Sequence, residues 1–163
     1  MNMGFKTGRL EVVFLDDVNN LSNREIFDLL TDEVTRYLPP DWQGITDNKK
    51  AGEWLEKRLC ECTVFTIFAN QSENLIGFLF VYGIKEKNKE IRIGYIISEK
   101  YWGHGYASEV VGGLVGLMAQ TGNVSSIIAG VAKGHVGSIK VLTKNGFMYT
   151  ESNNNTEFYR YQF

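Results

Sequence analysis

The sequence predicts an α/β (α+β) domain: a mixed, mostly antiparallel central sheet with flanking helices and one parallel strand pair. Three observations carry this. Short apolar runs with strand-like composition or alternation lie at 9–16, 62–69, 75–82, 91–97, 126–131 and 157–162. The connections joining the runs from 62 to 97 are too short for a crossover, so those strands pair antiparallel. Between 91–97 and 126–131 the period changes to that of a helix, and a strand after a crossover helix can return parallel to the one before it.

Taken in order, Arg9 to Asp16 is a first strand. Ser22 and Glu25 form a capping box ahead of Ile26, Phe27, Leu29 and Leu30. Pro39 and Pro40 stop any helix running on from Asp32. Thr46 or Asp47 caps a second helix through about Glu61, with Ala51, Trp54, Leu55, Arg58 and Leu59 as its buried stripe. Cys62 to Ala69 and Leu75 to Tyr82 are strands joined through Asn70 to Asn74, and a polar loop from Lys85 to Lys89 leads onward. Gly122 and Asn123 break the long helix that follows. Ser138 to Lys144 is a short helix closed by Asn145 and Gly146, and Phe147 to Thr150 with Glu157 to Gln162 make a closing hairpin.

The functional signal is concentrated in Glu90 to Gln120. Ile91, Ile93 and Tyr95 share one strand face, and Arg92, Gly94 and Ile96 the other. Gly103 and Gly105 follow, and then Ala107, Val110, Val111, Leu114, Val115, Leu117 and Met118 recur at helical spacing. Strand, glycine turn and helix in this order make a cradle for an oxyanion or a phosphate. Glycine lets backbone N–H groups turn inward, and the first turn of a helix has amides without partners. The wording GHGYAS lacks both the third glycine of the dinucleotide fingerprint and the Gly-Lys-Ser/Thr of a P-loop, so neither scheme applies. A glycine turn before a helix is also a common structural connection. Gly112, Gly113 and Gly116 each lower helix propensity by roughly 1 kcal/mol against alanine, and their expected use is close packing against the sheet.

Composition bounds the rest. With 163 residues, 44% apolar and 22% charged, the chain supports one domain with a sizeable core. A formal net charge of −2 with dispersed lysines offers no nucleic-acid footprint, so direct nucleic-acid binding is not expected. No run reaches the length of a membrane span and the N-terminus lacks a signal-peptide core, which points to a cytoplasmic protein without membrane contact. Cys60 and Cys62, read as the start of a strand-like run, would alternate faces. With His104 and His135 they show no metal-ligand spacing, so free thiols and no metal site are expected.

The run IGYIISEKYWGHGYASEVV resembles the acetyl-CoA-binding segment of the GNAT superfamily of N-acetyltransferases, and most of all its branch of ribosomal-protein alanine N-acetyltransferases (RimJ/RimL-like). The pattern Gln/Arg-x-x-Gly-x-Gly/Ala reads here Trp102-Gly103-His104-Gly105-Tyr106-Ala107, with Trp102 in place of the Gln/Arg. The run VGSIKVLTKNGF resembles the second cofactor segment: Ser138, Gly146 and Phe147 match, and His135 stands where an asparagine is usual. The resemblance runs from about Leu10 to Phe163 and implies a single GNAT-type domain over 1–163 with the acyl-CoA N-acyltransferase fold, whose parallel strands splay apart. It implies transfer of an acetyl group from acetyl-CoA (coenzyme A) to a primary amine by direct attack in a ternary complex. A protein N-terminal amine is one acceptor class, and a polyamine or aminoglycoside another. The remaining alternative is a non-catalytic CoA-binding regulatory module of the same fold. Members of such a fold occur as monomers and homodimers.

The resemblance also assigns residues. The cofactor pyrophosphate would meet backbone amides of Gly103, His104, Gly105, Tyr106 and Ala107, next to Trp102. The pantetheine arm would lie between 93–97 and 126–131, and an N–H near Tyr95, Ile96 or Ile97 would polarise the thioester carbonyl. His135 is expected to contact the cofactor. An imidazole with an ordinary pKa near 6.5 also suits proton shuttling, and a solvated loop residue is the plain alternative. Ser138 is expected to contact the cofactor and to protonate the leaving thiolate, because the position where many relatives carry a tyrosine is Leu142. Glu90 is the candidate general base; its plain alternative is the end of a charged surface loop, and Arg92 stands where the branch often has a glutamate. Tyr37, Trp42 and Tyr82 are candidates either for the acceptor pocket or for the core.

Overall fold

The computed structural model of the chain describes residues 4–85 and 89–163. Its strands are β1 (Gly4–Lys6), β2 (Leu10–Leu15), β3 (Thr63–Ala69), β4 (Leu75–Tyr82), β5 (Glu90–Ile97), β6 (Ser126–Ala132), β7 (Met148–Ser152) and β8 (Thr156–Gln162). The helices are α1 (Asn23–Leu29), α2 (Asp32–Thr35), α3 (Asn48–Glu61), α4 (Tyr106–Thr121) and α5 (Val136–Lys144). All eight strands form one sheet in the order β1-β2-β3-β4-β5-β6-β8-β7. Every neighbouring pair is antiparallel except β5 and β6. This is the mixed, mostly antiparallel sheet with flanking helices that the alternation and the crossover imply.

The parallel pair is the feature that positions the site. β5 and β6 pair only from Glu90 opposite Ser126 to Ile93 opposite Ala129. Beyond that point β5 stays bonded to β4 as far as Ile97, and β6 stays bonded to β8 as far as Ala132. The two strands are therefore held from their outer sides and separate from each other on the inner side.

Each sheet face buries its own core. On one face α4 and α5 cover Leu10, Val12, Ile67, Ile76, Leu79, Ile91 and Ile127 with Val110, Val111, Leu114, Met118 and Leu142. On the other, α1, α3 and the Pro40–Trp42 turn cover Phe78, Phe80 and Ile96 with Ile26, Leu29, Trp42, Trp54 and Leu55. Burying one such side chain contributes roughly 1.5–3 kcal/mol, so these faces outweigh the weak helix propensity of α4. Its glycines are spent on contact: a Cβ at Gly113 would lie 2.5 Å from the Phe5 ring, and one at Gly112 would lie 2.9 Å from Asn145 Oδ1. They pack α4 against β1 and the end of α5 rather than against the middle of the sheet. Gly116 has open space around it and nothing in the structure explains it.

The local signals place the elements well. Ser22 and Glu25 form the reciprocal capping box of α1, and Asp47 caps α3. The expected stripe of α3 is buried apart from half-buried Leu59, and it includes Arg58. Its guanidinium is enclosed beneath the Trp42 ring at 4.5 Å, with Glu61 at 3.1 Å and Asp41 at 3.6 Å as counter-charges. Three details differ from the sequence reading. β1 has only three residues, too few to show a period. Cys60 lies in the last turn of α3 and Cys62 caps it, because the helix runs two residues further than a strand starting there would allow. Of the closing strands, β7 begins and ends later than expected, while β8 begins at Thr156 and ends, as expected, at Gln162, with β7 at the outer edge and β8 next to β6. Of the polar loop expected at 85–89, residues 86–88 lie outside the described residues.

One position tests how tightly β4 is drawn to β5. A Cβ built on Gly77 would sit 2.1 Å from the carbonyl oxygen of Ile96, a backbone atom that cannot swing away. Gly77→Ala is expected to destabilise the protein by on the order of 3 kcal/mol, read as a lowered urea midpoint with an unchanged slope.

Candidate active site

Where β5 and β6 part, a cavity of about 780 Å³ opens. Its walls come from four places: the end of β5 at Tyr95, Ile96 and Ile97; the turn and first residues of α4 at 101–108; the start of α5 from Gly134; and the α2 segment from Glu33 to Leu38. The cofactor residues expected from the sequence converge on it, with the exception of His104. That side chain is turned back: Nδ1 donates to the Trp102 carbonyl at 2.8 Å, and the ring stacks on Tyr106.

The turn has the geometry of an anion cradle. Gly103 and Gly105 have φ of +75° and +78°, a left-handed backbone that favours glycine. Gly105 is the N-cap of α4 and offers no side-chain cap, so the first-turn amides are left for a ligand. Trp102 contributes no charge where the family has Gln or Arg; its indole N–H donates instead to the Ile97 carbonyl at 2.8 Å and ties the turn to the end of β5. Lys140 and Lys144, one turn apart on α5, line the same cavity.

A second tie holds the turn from the N-terminal side. Glu109, in the first turn of α4, accepts from Thr7 Oγ1, from the Arg9 amide at 2.8 Å and from Arg9 Nε at 2.7 Å. The same guanidinium lies over the Tyr106 ring at 4.5 Å. Desolvation pushes the Glu109 carboxyl up, but the bonds from Thr7 and Arg9 outweigh it and hold it below its ordinary value. Sequence reading missed this brace, because a separation of 100 residues leaves no local signal.

Opposite the turn, the Tyr95 hydroxyl and Ser138 Oγ lie 2.7 Å apart. The sequence draws attention to the Tyr95 backbone; the structure brings its side chain to the cavity as well. Burial pushes its phenol up to about 12, with the Ser138 hydrogen bond acting the other way, so it stays protonated at neutral pH. Leu142 is wholly buried in the core and offers nothing to the cavity. His135 is the N-cap of α5 and its ring stacks on Tyr37, centroids 4.4 Å apart and planes 11° off parallel. Burial lowers its pKa from the ordinary 6.5, so the imidazole is neutral at pH 7.

The structure does not bring Glu90 to this cavity. Glu90 sits at the closed end of the strand pair, roughly 16 Å along β5 from Tyr95 at about 3.3 Å per residue. It accepts from Arg160 Nη1 at 2.7 Å and from Ser126 Oγ at 3.3 Å. A carboxylate held there is out of reach of an amine at Tyr95. Of the aromatic candidates only Tyr37 lines the cavity; Trp42 is core, and Tyr82 lies across the sheet near Cys62.

The family model for the acetyltransferase (GNAT) domain matches residues 14–148. The chain belongs to the GNAT acetyltransferase family. A GNAT-family acetyltransferase of Bacillus anthracis shares its fold, with a TM-score of 0.81 at 18% identity over 98% of each chain. The RimL ribosomal L7/L12 α-N-protein acetyltransferase in complex with coenzyme A does so with a TM-score of 0.77 at 18% identity, over 96% of this GNAT chain and 95% of that one. An N-acetyltransferase p20 of Bacillus licheniformis, itself uncharacterised, is 31% identical over 83 residues. That match spans 51% of this chain and 47% of the relative, so the GNAT chain covers about half the length of the curated protein it matches.

The brace on the GNAT turn has a pH signature. A carboxyl held below its ordinary value stabilises the fold fully above 4.5 and loses that contribution as pH falls through its folded value. The melting temperature of Glu109→Gln should therefore lie below that of the wild type at pH 7, and the gap should narrow below about pH 4.5. A gap that is constant from pH 7 to pH 3 would show that the carboxylate charge is not what the brace uses.

Proposed function

We propose that the chain is an acetyl-CoA-dependent N-acetyltransferase, one GNAT-type unit over residues 1–163, that acetylates a primary amine by direct attack in a ternary complex. The observation that carries this is the separation of β5 from β6, which opens a cavity lined by both the glycine turn and the Tyr95–Ser138 pair. Free strand edges on both sides of the gap suit an extended arm bearing amides, in the manner of an added strand. The uncapped start of α4 suits the diphosphate at its far end, with Lys140 and Lys144 adding positive charge. Acetyl-CoA supplies the activated acyl group; the chain's own residues supply the rest.

Those roles follow from position. Backbone N–H groups at Tyr95 to Ile97 border the gap and would hold the thioester oxygen, a fixed donor of this kind being worth roughly 3 kcal/mol in the transition state. Ser138 would pass a proton to the departing sulfur and recover it from Tyr95, whose high pKa keeps it charged with that proton. Tyr95 thus stands in from the strand for the phenol that α5 lacks at Leu142.

For the acceptor we propose a protein or peptide N-terminal amine, as in the RimJ/RimL-like branch. Among the described residues lining the cavity Glu33 is the sole carboxylate, and it is paired with Arg36. A polycationic polyamine or aminoglycoside would call for a denser acidic wall. A cytoplasmic setting agrees with two unpaired cysteines.

The test is thiol release from acetyl-CoA with peptides starting in Ala, Ser or Met, polyamines and aminoglycosides. Release is expected with one or more peptides. Binding of CoA without turnover on any amine would favour a regulatory module instead. Within an active enzyme, Ser138→Ala and Tyr95→Phe should each lower kcat about tenfold with CoA affinity within about twofold, since general-acid help of a thiolate leaving group is worth less than the roughly 10²–10⁴-fold of stronger cases.

A further inference from the structure

Resting on the N-acetyltransferase reading, we propose that the imidazole of His135 is the base that takes the acceptor amine's proton, and that Tyr37 holds it in place for that task.

Three geometric facts point to it. His135 is the N-cap of α5 and Ser138 follows three residues later, so the two side chains share one helix face and look onto one cavity. The ring is stacked flat against Tyr37, which belongs to the segment following α2 and lines the same cavity. Its nitrogens make no hydrogen bond with another described residue, in contrast to His104, whose Nδ1 is satisfied by two carbonyls. An imidazole that is positioned by stacking, and not by a partner on nitrogen, keeps its lone pair for a substrate.

The carboxylates offer no rival at the site. Glu90 is held by Arg160 at the closed end of the strand pair, and Glu33 is paired with Arg36. The charged and titratable groups that share the cavity with the ring are Glu33, Arg36 and Tyr37 from the α2 segment, Tyr95 from β5, Tyr101 and Tyr106 from the turn, and Lys140 and Lys144 from α5. Glu33 is the one carboxylate among them, and it is paired with Arg36. Burial disfavours the imidazolium, and so does the positive end of α5, so the resting ring is neutral and able to accept.

The protons balance. An ammonium acceptor gives its first proton to His135. The freed nitrogen lone pair forms the bond to the thioester carbonyl carbon. As the C–S bond breaks, the sulfur takes a proton from Ser138, Ser138 recovers one from Tyr95, and the nitrogen's second proton passes through water to restore the Tyr95 phenol. The products are an amide and a thiol, and the proton left on His135 passes to water at the cavity mouth.

The experiment is the pH dependence of kcat at saturating acetyl-CoA with an N-terminal peptide amine, for the wild type, His135→Gln and His135→Asn, beside CoA affinity by calorimetry. The wild type should lose rate on the acid side through an inflection at or below 6.5. Both variants should lose about 10²-fold in kcat at pH 7, keep CoA affinity within about twofold, and retain only the acceptor's own limb at roughly 7.7–8.0. Added imidazole should restore part of the rate. An inflection that survives both substitutions, or a loss of CoA affinity with kcat unchanged, would overturn the assignment and make His135 a cofactor contact. Should the variants fold poorly, NMR titration of the wild-type ring decides: a midpoint below 6.5 supports the base, and one above 7 removes it. A wild type inactive on every amine would sink the transferase reading itself, an outcome distinct from an active enzyme with an unchanged profile.

Discussion

The structure depends on a pairing that stops. β5 and β6 exchange ladder bonds over four residues and then separate, although each continues as a regular strand bonded to its outer neighbour. Backbone groups along the inner edges are therefore left for water or for a ligand, and leaving such groups unmet costs about 1–3 kcal/mol apiece where they are buried. Nothing local forces the gap. It is enforced from outside, by β4 drawn close to β5 at Gly77 and by β8 paired to β6 along its full length. A sheet built this way carries a slot in its middle rather than at its rim, with hydrophobic layers on both faces to keep the slot from collapsing.

The turn at the mouth of the slot is rigid for reasons that lie outside the turn. Its two glycines adopt a left-handed backbone and lack side chains that could fix them. The anchoring comes from the Trp102 indole on the Ile97 carbonyl and from Thr7 and Arg9 on Glu109. The uncapped first-turn amides of α4 are thus held by a strand end on one side and by the β1–β2 connection on the other. A cradle of this kind loses little on binding, because its donors are oriented before the ligand arrives.

Much of this was legible in the sequence. Alternation fixed the central strands, the capping pairs at Ser22 and Asp47 fixed two helix starts, and the change of period after Ile97 fixed the crossover. The glycine turn was legible as the link between strand and helix, and its two glycines do adopt the left-handed backbone beside a cavity. What stayed hidden was whatever depends on distant residues meeting. The Tyr95–Ser138 contact spans 43 residues and the Glu109 brace about 100, and neither leaves a periodic trace. Glu90 shows the converse. Its place at the start of the key strand is correctly readable, but which end of that strand opens is decided by how β6 diverges, and no residue near Glu90 encodes that.

The departures of this chain from its family's wording are related to one another. Trp102 replaces a charged or amide side chain, and its N–H goes to a carbonyl that the separated strand would otherwise leave free. Leu142 replaces a phenol and becomes core, while Tyr95 brings a phenol to the same helix from the strand. His135 replaces an asparagine and is matched by a ring on the α2 segment against which it stacks. In each case a local change in the motif is answered by a contact from a different element. A motif therefore describes this site less completely than the set of elements that converge on it, and a departure at one position carries information only together with the residue that has moved in opposite it. For the proposed proton chemistry the consequence is concrete: Ser138 and His135 lie on one helix face three residues apart, so acid and base in those roles would make the course of a proton depend on α5 and the two rings that flank it.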